Sequence, residues 1–316
     1  MRYLVTGGAG FIGSNTVDEL VRRGHDVVAL DDLSTGKAAN LTQVRSKIRL
    51  IQESVTNLDA LRDACRGVDC VIHLAAQTSV PRSVKDPLET NQINVTGTLD
   101  VLLAARDATV KRVVFASSCA VYGKTTTLPI RESAALAPIS PYGLSKQVGE
   151  GYGRVFQELY GIEFVALRYF NVFGPRQDPS SPYSGVLSLF SAALLGGTQP
   201  TVYGDGEQSR DFVFVENVVQ ANLRAAEAMG APGLAINVGT GNRYTLNQTL
   251  ALLGKITGRP ASAKYAAARE GDIRDSQGDI GLAKSALGYL PNVGFEEGLK
   301  KTWEWFSANQ SAASRP

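Results

Sequence analysis

Tyr142 and Lys146 stand four residues apart in the run Pro-Tyr-Gly-Leu-Ser-Lys that starts at Pro141. On a helix, positions four apart share a face and their side chains converge. A tyrosine ionises near pH ~10, too high for a base at neutral pH unless a neighbouring cation stabilises the phenolate. The spacing therefore expects Lys146 to lower the tyrosine pKa and Tyr142 to act as a general base. Ser118 is the third candidate. The apolar strand Arg112–Ser117 runs into Ser-Ser-Cys-Ala-Val-Tyr-Gly, Ser117 to Gly123. In a doubly wound sheet the carboxyl ends of strands carry the ligands, so Ser118 belongs near the reacting end of one.

The element that would hold such a ligand opens the chain. Arg2 to Thr6 reads as a short apolar strand, Gly7, Gly8, Gly10 and Gly13 follow, and Ser14 to Arg23 reads as helical. Strand, glycine turn and helix in that order make a dinucleotide-binding turn. The glycines let the backbone approach a pyrophosphate, and the helix N-terminus supplies N–H groups to it. A second strand, Asp26 to Leu30, ends at Asp31. A carboxylate there takes the adenosine ribose and repels a 2′-phosphate, which favours NAD over NADP. Lys37 lies close enough in sequence to soften that preference.

Composition removes other classes. At 316 residues the chain can bury one large core or two modest ones. A formal charge of +2 with no basic run argues against nucleic acid as the main partner. No apolar stretch reaches membrane-spanning length, and the first strand begins at residue 2, so no signal peptide and a cytoplasmic protein are expected. Cys65, Cys70 and Cys119 form no metal pattern, and their odd number suits a reducing compartment. Only two histidines occur, His25 and His73. That nearly excludes a Ser-His-Asp triad or a histidine-rich metal site. His73, at the end of Cys-Val-Ile-His, reads as a packed, hydrogen-bonded side chain.

Along the chain, strand candidates (Arg49–Gln52, Cys70–Leu74, Arg112–Ser117, Glu163–Leu167, Ala235–Val238) alternate with helix candidates (Leu58–Cys65, Glu89–Arg106, Tyr142–Leu159, Val186–Leu195). The alternation predicts an α/β fold with a Rossmann-type, doubly wound parallel sheet. After about residue 170 Pro and Gly become frequent, which suggests longer loops and a smaller α/β substrate lobe. Helical patterns return at Glu216–Ala228, Thr245–Ile256 and Phe295–Phe306. The expected division is a dinucleotide-binding domain over residues 1–170, with segments near 212–240 returning to it. Residues 171–211 and 241–306 form the second lobe, and 307–316 a frayed tail.

Four motifs in order complete the pattern. They are Thr-Gly-Gly-Ala-Gly-Phe-Ile-Gly from Thr6, Ser-Ser-x-x-Val-Tyr-Gly from Ser117, Tyr-x-x-x-Lys from Tyr142, and Arg-Tyr-Phe-Asn-Val-Phe-Gly-Pro from Arg168. Together they resemble the extended short-chain dehydrogenase/reductases, and more narrowly the nucleotide-sugar 4-epimerases of the UDP-glucose and UDP-N-acetylglucosamine type. The resemblance spans nearly the whole chain. It implies NAD as cofactor, contacted by Gly7, Gly10, Phe11, Ile12, Gly13, Asp31, Leu74, Ala75, Ala76, Asn94, Tyr142 and Lys146. It implies Tyr142 as base, Lys146 on the nicotinamide ribose and Ser118 on the sugar 4-hydroxyl. Substrate contacts follow at Asn171, Tyr203, Arg210, Arg269, Asp272 and Ser276, the last a gate at the sugar C2 group whose small side chain leaves space for N-acetyl. It further implies a UDP-sugar partner and a homodimer built on the helices near Glu89–Arg106 and Tyr142–Leu159.

Three departures stand out. Glu53-Ser54-Val55 replaces the acid often found on the adenine side, Cys119 stands where serine or alanine is common, and Thr78 replaces a lysine of some glucose-type epimerases. Rival readings on the same scaffold are a 4,6-dehydratase, a decarboxylase or a uronate epimerase. A dehydratase usually carries Thr-Asp-Glu before Val-Tyr-Gly, and this chain lacks that acid pair. A non-catalytic NAD(H) sensor would keep the glycines without needing Ser118, Tyr142 and Lys146 together.

Overall fold

Seven short apolar segments pair in parallel: β1 (Arg2–Thr6), β2 (Asp26–Leu30), β3 (Ile48–Ile51), β4 (Cys70–His73), β5 (Arg112–Ser118), β6 (Glu163–Tyr169) and β7 (Ala235–Val238). The computed structural model describes residues 1–178, 185–259, 261–268 and 273–313. The spatial order is β7-β6-β5-β4-β1-β2-β3. It reverses between β1 and β4, and the crevice at such a reversal is where doubly wound sheets bind ligands. Thr6 is in register with both Leu30 and His73, and Ser118 with Tyr169, so the loops that matter leave one edge of the sheet.

Helices cover both faces, so strands read as apolar runs rather than alternating ones; every residue of β5 is buried. Val5, Ile72 and Val114 point to one layer with Val17, Leu20 and Val218 of the helices Phe11–Arg22 and Val215–Glu227. Leu4, Val71 and Phe115 point to the other, with Leu61, Leu102 and Phe156 of Leu58–Ala64, Gly97–Asp107 and Pro141–Tyr160. Beyond residue 170 the sheet gives way to paired short strands, including Asn171–Phe173 with Phe212–Phe214 and Ser209–Arg210 with Tyr244–Thr245. Among the described residues no helix is long and apolar enough to cross a membrane.

Two expectations are corrected. The segment Glu89–Arg106 is not one regular helix. It divides into Pro87–Asn91, a π-helical turn Gln92–Thr96, and Gly97–Asp107. Asn94, within that turn, directs its side chain to Gln77 and Ser145, outside its own helix. The last helix also extends further than expected, running Phe295–Ala313 rather than ending at Phe306. Once Phe295, Leu299 and Phe306 are buried, adding a turn of Ser, Ala, Asn and Gln costs only propagation, not nucleation.

Candidate active site

The helix Pro141–Tyr160 brings Tyr142 and Lys146. Ser140 caps it by accepting a hydrogen bond from the Gly143 N–H at 3.1 Å, Pro141 fits its first turn, and Gly161 ends it in the left-handed region. Gly149 and Gly153 let it lie flat on the sheet. A Cβ on Gly149 would stand 2.5 Å from the Phe115 ring, and one on Gly153 2.1 Å from the Phe164 ring. That approach buries Lys146, whose Nζ lies 5.0 Å from the Phe115 ring centroid and 5.9 Å from that of Tyr142. From the end of β5, the Ser118 side chain comes close enough to the Tyr142 phenol to act on its pKa, while its Oγ accepts the Ala120 N–H at 3.1 Å. The three expected residues therefore meet.

Their ionisation differs from expectation. Burial pushes the Tyr142 phenol up to about 12, and the Ser118 side chain offsets only part of this. Burial pushes Lys146 down to about 7. The expected lowering of the tyrosine by its lysine is not seen: Lys146 is not among the influences on Tyr142, and the packing that brings the groups together disfavours both charged forms.

The glycine turn fits a dinucleotide. Gly7 has φ +66, and a Cβ on it would stand 2.8 Å from Ala75 N, so the turn and the loop Leu74–Ala75–Ala76 are in direct approach. Gly13 is closer still, since a Cβ there would stand 1.9 Å from Gly7 O. The helix that follows starts at Phe11 and Ile12 with Gly10 as N-cap and no capping side chain, which leaves its first N–H groups for an anion. Asp31 Oδ2 accepts the Ala9 N–H at 2.9 Å and Oδ1 the Leu33 N–H at 2.8 Å, so this carboxylate also braces the turn. Burial raises its pKa and those backbone N–H groups oppose the rise. Lys37 pairs with Asp178 at 3.1 Å. Ser54 turns into its own loop, sharing a hydrogen bond with Thr56 Oγ1 at 2.9 Å.

Asn94 joins the two halves of the site. Its Oδ1 accepts the Gln77 N–H at 2.7 Å, and its Nδ2 donates to Gln77 O at 2.9 Å and to Ser145 Oγ at 3.0 Å. Ser145 in turn donates to the Tyr142 carbonyl at 2.7 Å. Gln77 and Ser145 were invisible as site residues, since neither belongs to a spacing pattern. A further support is Arg168, which forks onto Glu150 of the same helix at 2.9 and 2.7 Å and donates to Tyr122 Oη at 2.9 Å.

On the facing side, Ser276 is buried and its N–H donates to Ser209 O at 3.1 Å. Its side chain interacts with the Cys119 thiol, which also meets Ser118 and is felt by the Arg210 charge. Burial pushes that thiol up to about 11, so it packs as a neutral group. Arg210 Nη1 donates to Ser209 O at 2.9 Å and Arg274 O at 3.2 Å. Its neighbour Asp211 is fully buried and accepts N–H bonds from Thr240, Gly241 and Gly278, fixing the loops around it. Only the order Arg-Asp-Phe could have signalled that role. Asn171 Nδ2 is buried with no hydrogen-bond partner among the described residues. Tyr203 ends the short strand Thr201–Tyr203 and is exposed. Arg269 and Asp272 lie outside the described residues.

This geometry has relatives. The model of the NAD dependent epimerase/dehydratase family matches residues 3–239. The chain belongs to that family. A putative UDP-glucose 4-epimerase of Methanocaldococcus jannaschii is 40% identical over 308 residues, covering 97% of this chain and 98% of the relative. Among solved structures in the family, a UDP-glucose 4-epimerase of Thermotoga maritima with UDP-glucose superposes with a TM-score of 0.94 at 39% identity, covering 98% of this chain and all of that one. A UDP-N-acetylglucosamine 4-epimerase of Methanobrevibacter ruminantium, in complex with UDP-N-acetylmuramic acid, gives 0.93 at 41%, covering 98% of each.

Proposed function

We propose that this protein is an NAD-dependent UDP-hexose 4-epimerase that interconverts UDP-GlcNAc and UDP-GalNAc, and UDP-Glc and UDP-Gal less well. The observation that carries the reading is the meeting of Ser118, Tyr142 and Lys146 beside the small Ser276. Gly7, Gly10, Phe11, Ile12, Gly13, Asp31, Leu74, Ala75, Ala76, Asn94 and Lys146 would hold the dinucleotide. Asp31 favours NAD, and the pairing of Lys37 with Asp178 supports this by engaging the cation that could have attracted a 2′-phosphate. When bound, NAD supplies a hydride acceptor and donor for the sugar C4. Tyr142 takes the 4-hydroxyl proton and returns it after the 4-keto sugar has turned its other face, and Ser118 orients that oxygen. Asn171, Tyr203, Arg210, Arg269 and Asp272 would hold the UDP moiety.

The protein acts in the cytoplasm in this reading, where its unpaired Cys65, Cys70 and Cys119 remain thiols. It works as a homodimer, supported by exposed apolar side chains along the helices Val80–Lys85, Pro87–Asn91 and Pro141–Tyr160. The experiment is incubation of pure protein with a panel of UDP-sugars, with chromatographic resolution of epimers and mass spectrometry. Wild type should give products of unchanged mass and new retention time. A product lighter by one water would mean a dehydratase, and no product a sensor. Ser276→Tyr should abolish turnover of the N-acetylated sugars by steric exclusion while UDP-Gal turnover persists. Equal losses on both would remove Ser276 as the gate.

A further inference from the structure

The proposed reaction leaves one buried titratable side chain beside the site without a task. His73 ends β4, in register with Thr6 and Phe115, and is 1% exposed. Both ring nitrogens are engaged, Nδ1 with Thr6 Oγ1 at 2.7 Å and Nε2 with Thr98 Oγ1 at 3.0 Å. The neighbours fix the direction of each bond. A hydroxyl has one proton to give. Thr98 gives its proton to the Asn94 carbonyl, 2.6 Å away, so it accepts from His73 and Nε2 carries the hydrogen. Thr6 Oγ1 accepts the N–H groups of Leu74 at 3.2 Å and Ala75 at 3.3 Å, which leaves its proton for Nδ1. One hydrogen then lies on every link, and the imidazole is neutral. Burial acts in the same direction, with the Lys146 charge as the second contribution. Both groups lie beside the Phe115 ring, whose centroid is 5.7 Å from the imidazole and 5.0 Å from Nζ.

The links join two parts of the site. At one end Thr6, Leu74 and Ala75 form the wall against which Gly7 packs. At the other, Asn94 grips Gln77 and Ser145, and Ser145 holds the Tyr142 carbonyl. We infer that His73 is a positioning residue, whose fixed Nε2–H tautomer registers the dinucleotide-binding loop against the helix that carries Tyr142. The kinetic part of this inference rests on the epimerase reading; the tautomer does not.

The test has two arms. With only two histidines, long-range proton–nitrogen spectra of 15N-histidine-labelled protein, assigned with His25→Gln, read the tautomer directly. His73 should carry its proton on Nε2 and keep it while His25 titrates. A proton on Nδ1, or an imidazolium, overturns the inference. In the second arm Thr98→Val keeps the volume and removes both hydrogen bonds, whereas Thr98→Ser keeps the hydroxyl. Thr98→Val should lower kcat about tenfold, the scale of one lost buried hydrogen bond, with little change in KM. Thr98→Ser should restore most of that loss. Equal kinetics in the two variants, or a lower melting temperature with kcat intact, reduces His73 to a packing residue. Absence of epimerase turnover in wild type would instead defeat the reaction, and the spectra would still decide the tautomer.

Discussion

Burial raises the pKa of Tyr142 and lowers that of Lys146, so the two residues named for chemistry are each displaced against their charged form. Tyr142→Phe removes the phenol oxygen and keeps the ring. Turnover should fall at least ~100-fold, the scale of general base catalysis, while UDP still binds by calorimetry. A Phe variant with near wild-type turnover would take Tyr142 out of the mechanism. Lys146 carries a cost that pH exposes. The unfolded lysine ionises at its ordinary value of 10.5, and the folded one at about 7. Between these values the unfolded chain binds more protons, so stability rises with pH there. The penalty is complete below about 7 and is lost as pH climbs towards 10.5. Lys146→Met should therefore raise the melting temperature at neutral pH, gain less in alkaline buffer, and lose turnover throughout. Thermal scans across pH check the sign, and a gain that grows with pH would contradict it.

At the scale of elements, the helix Pro141–Tyr160 is positioned by what it lacks. Gly153 faces Phe164 so closely that one methyl group forces a shift of the helix or the ring. Gly153→Ala should cost ~1–3 kcal/mol of stability, as overpacking does, and urea titration reads it directly. A cost near zero would mean the helix can slide without consequence. The sequence made this helix legible to within a residue at each end, and it placed β1, β2 and β7 as observed, because their patterns are local. The π turn at Gln92–Thr96 was not legible. It holds Asn94, whose side chain bonds to Gln77 and Ser145, partners that only the fold brings near. The turn Ala38–Lys47 was missed for a different reason, since only Leu41 and Val44 in it are buried and no period emerges. Ser118, Tyr142 and Lys146 were readable from spacing, whereas the ionisation of the last two was not. Spacing reports proximity, and desolvation is a property of everything packed around the pair.

At the scale of the whole molecule, the helix that carries Tyr142 has two opposed faces. Lys146, Gly149 and Gly153 face the sheet, while Leu144, Val155 and Leu159 face outward and are exposed. Leu144, 53% exposed, lines a groove with Pro87, Asn91, Ile139 and Val148, and Leu88, next to Pro87 in the chain, is 83% exposed. A contiguous apolar surface of this kind marks an interaction site more often than a free surface. One copy of the chain offers the same patch as another, which is the condition for a two-fold interface. Leu144→Asp would place a carboxylate in that interface, where losing its water is costly without a partner. Analytical ultracentrifugation should find a dimer for wild type and a monomer for Leu144→Asp. Tyr142 lies two residues from Leu144, so losing the partner should also loosen the first turn of the helix and lower turnover. If wild type sediments as a monomer, the outward face has another occupant; if Leu144→Asp remains a dimer, the two-fold contact lies elsewhere on the surface.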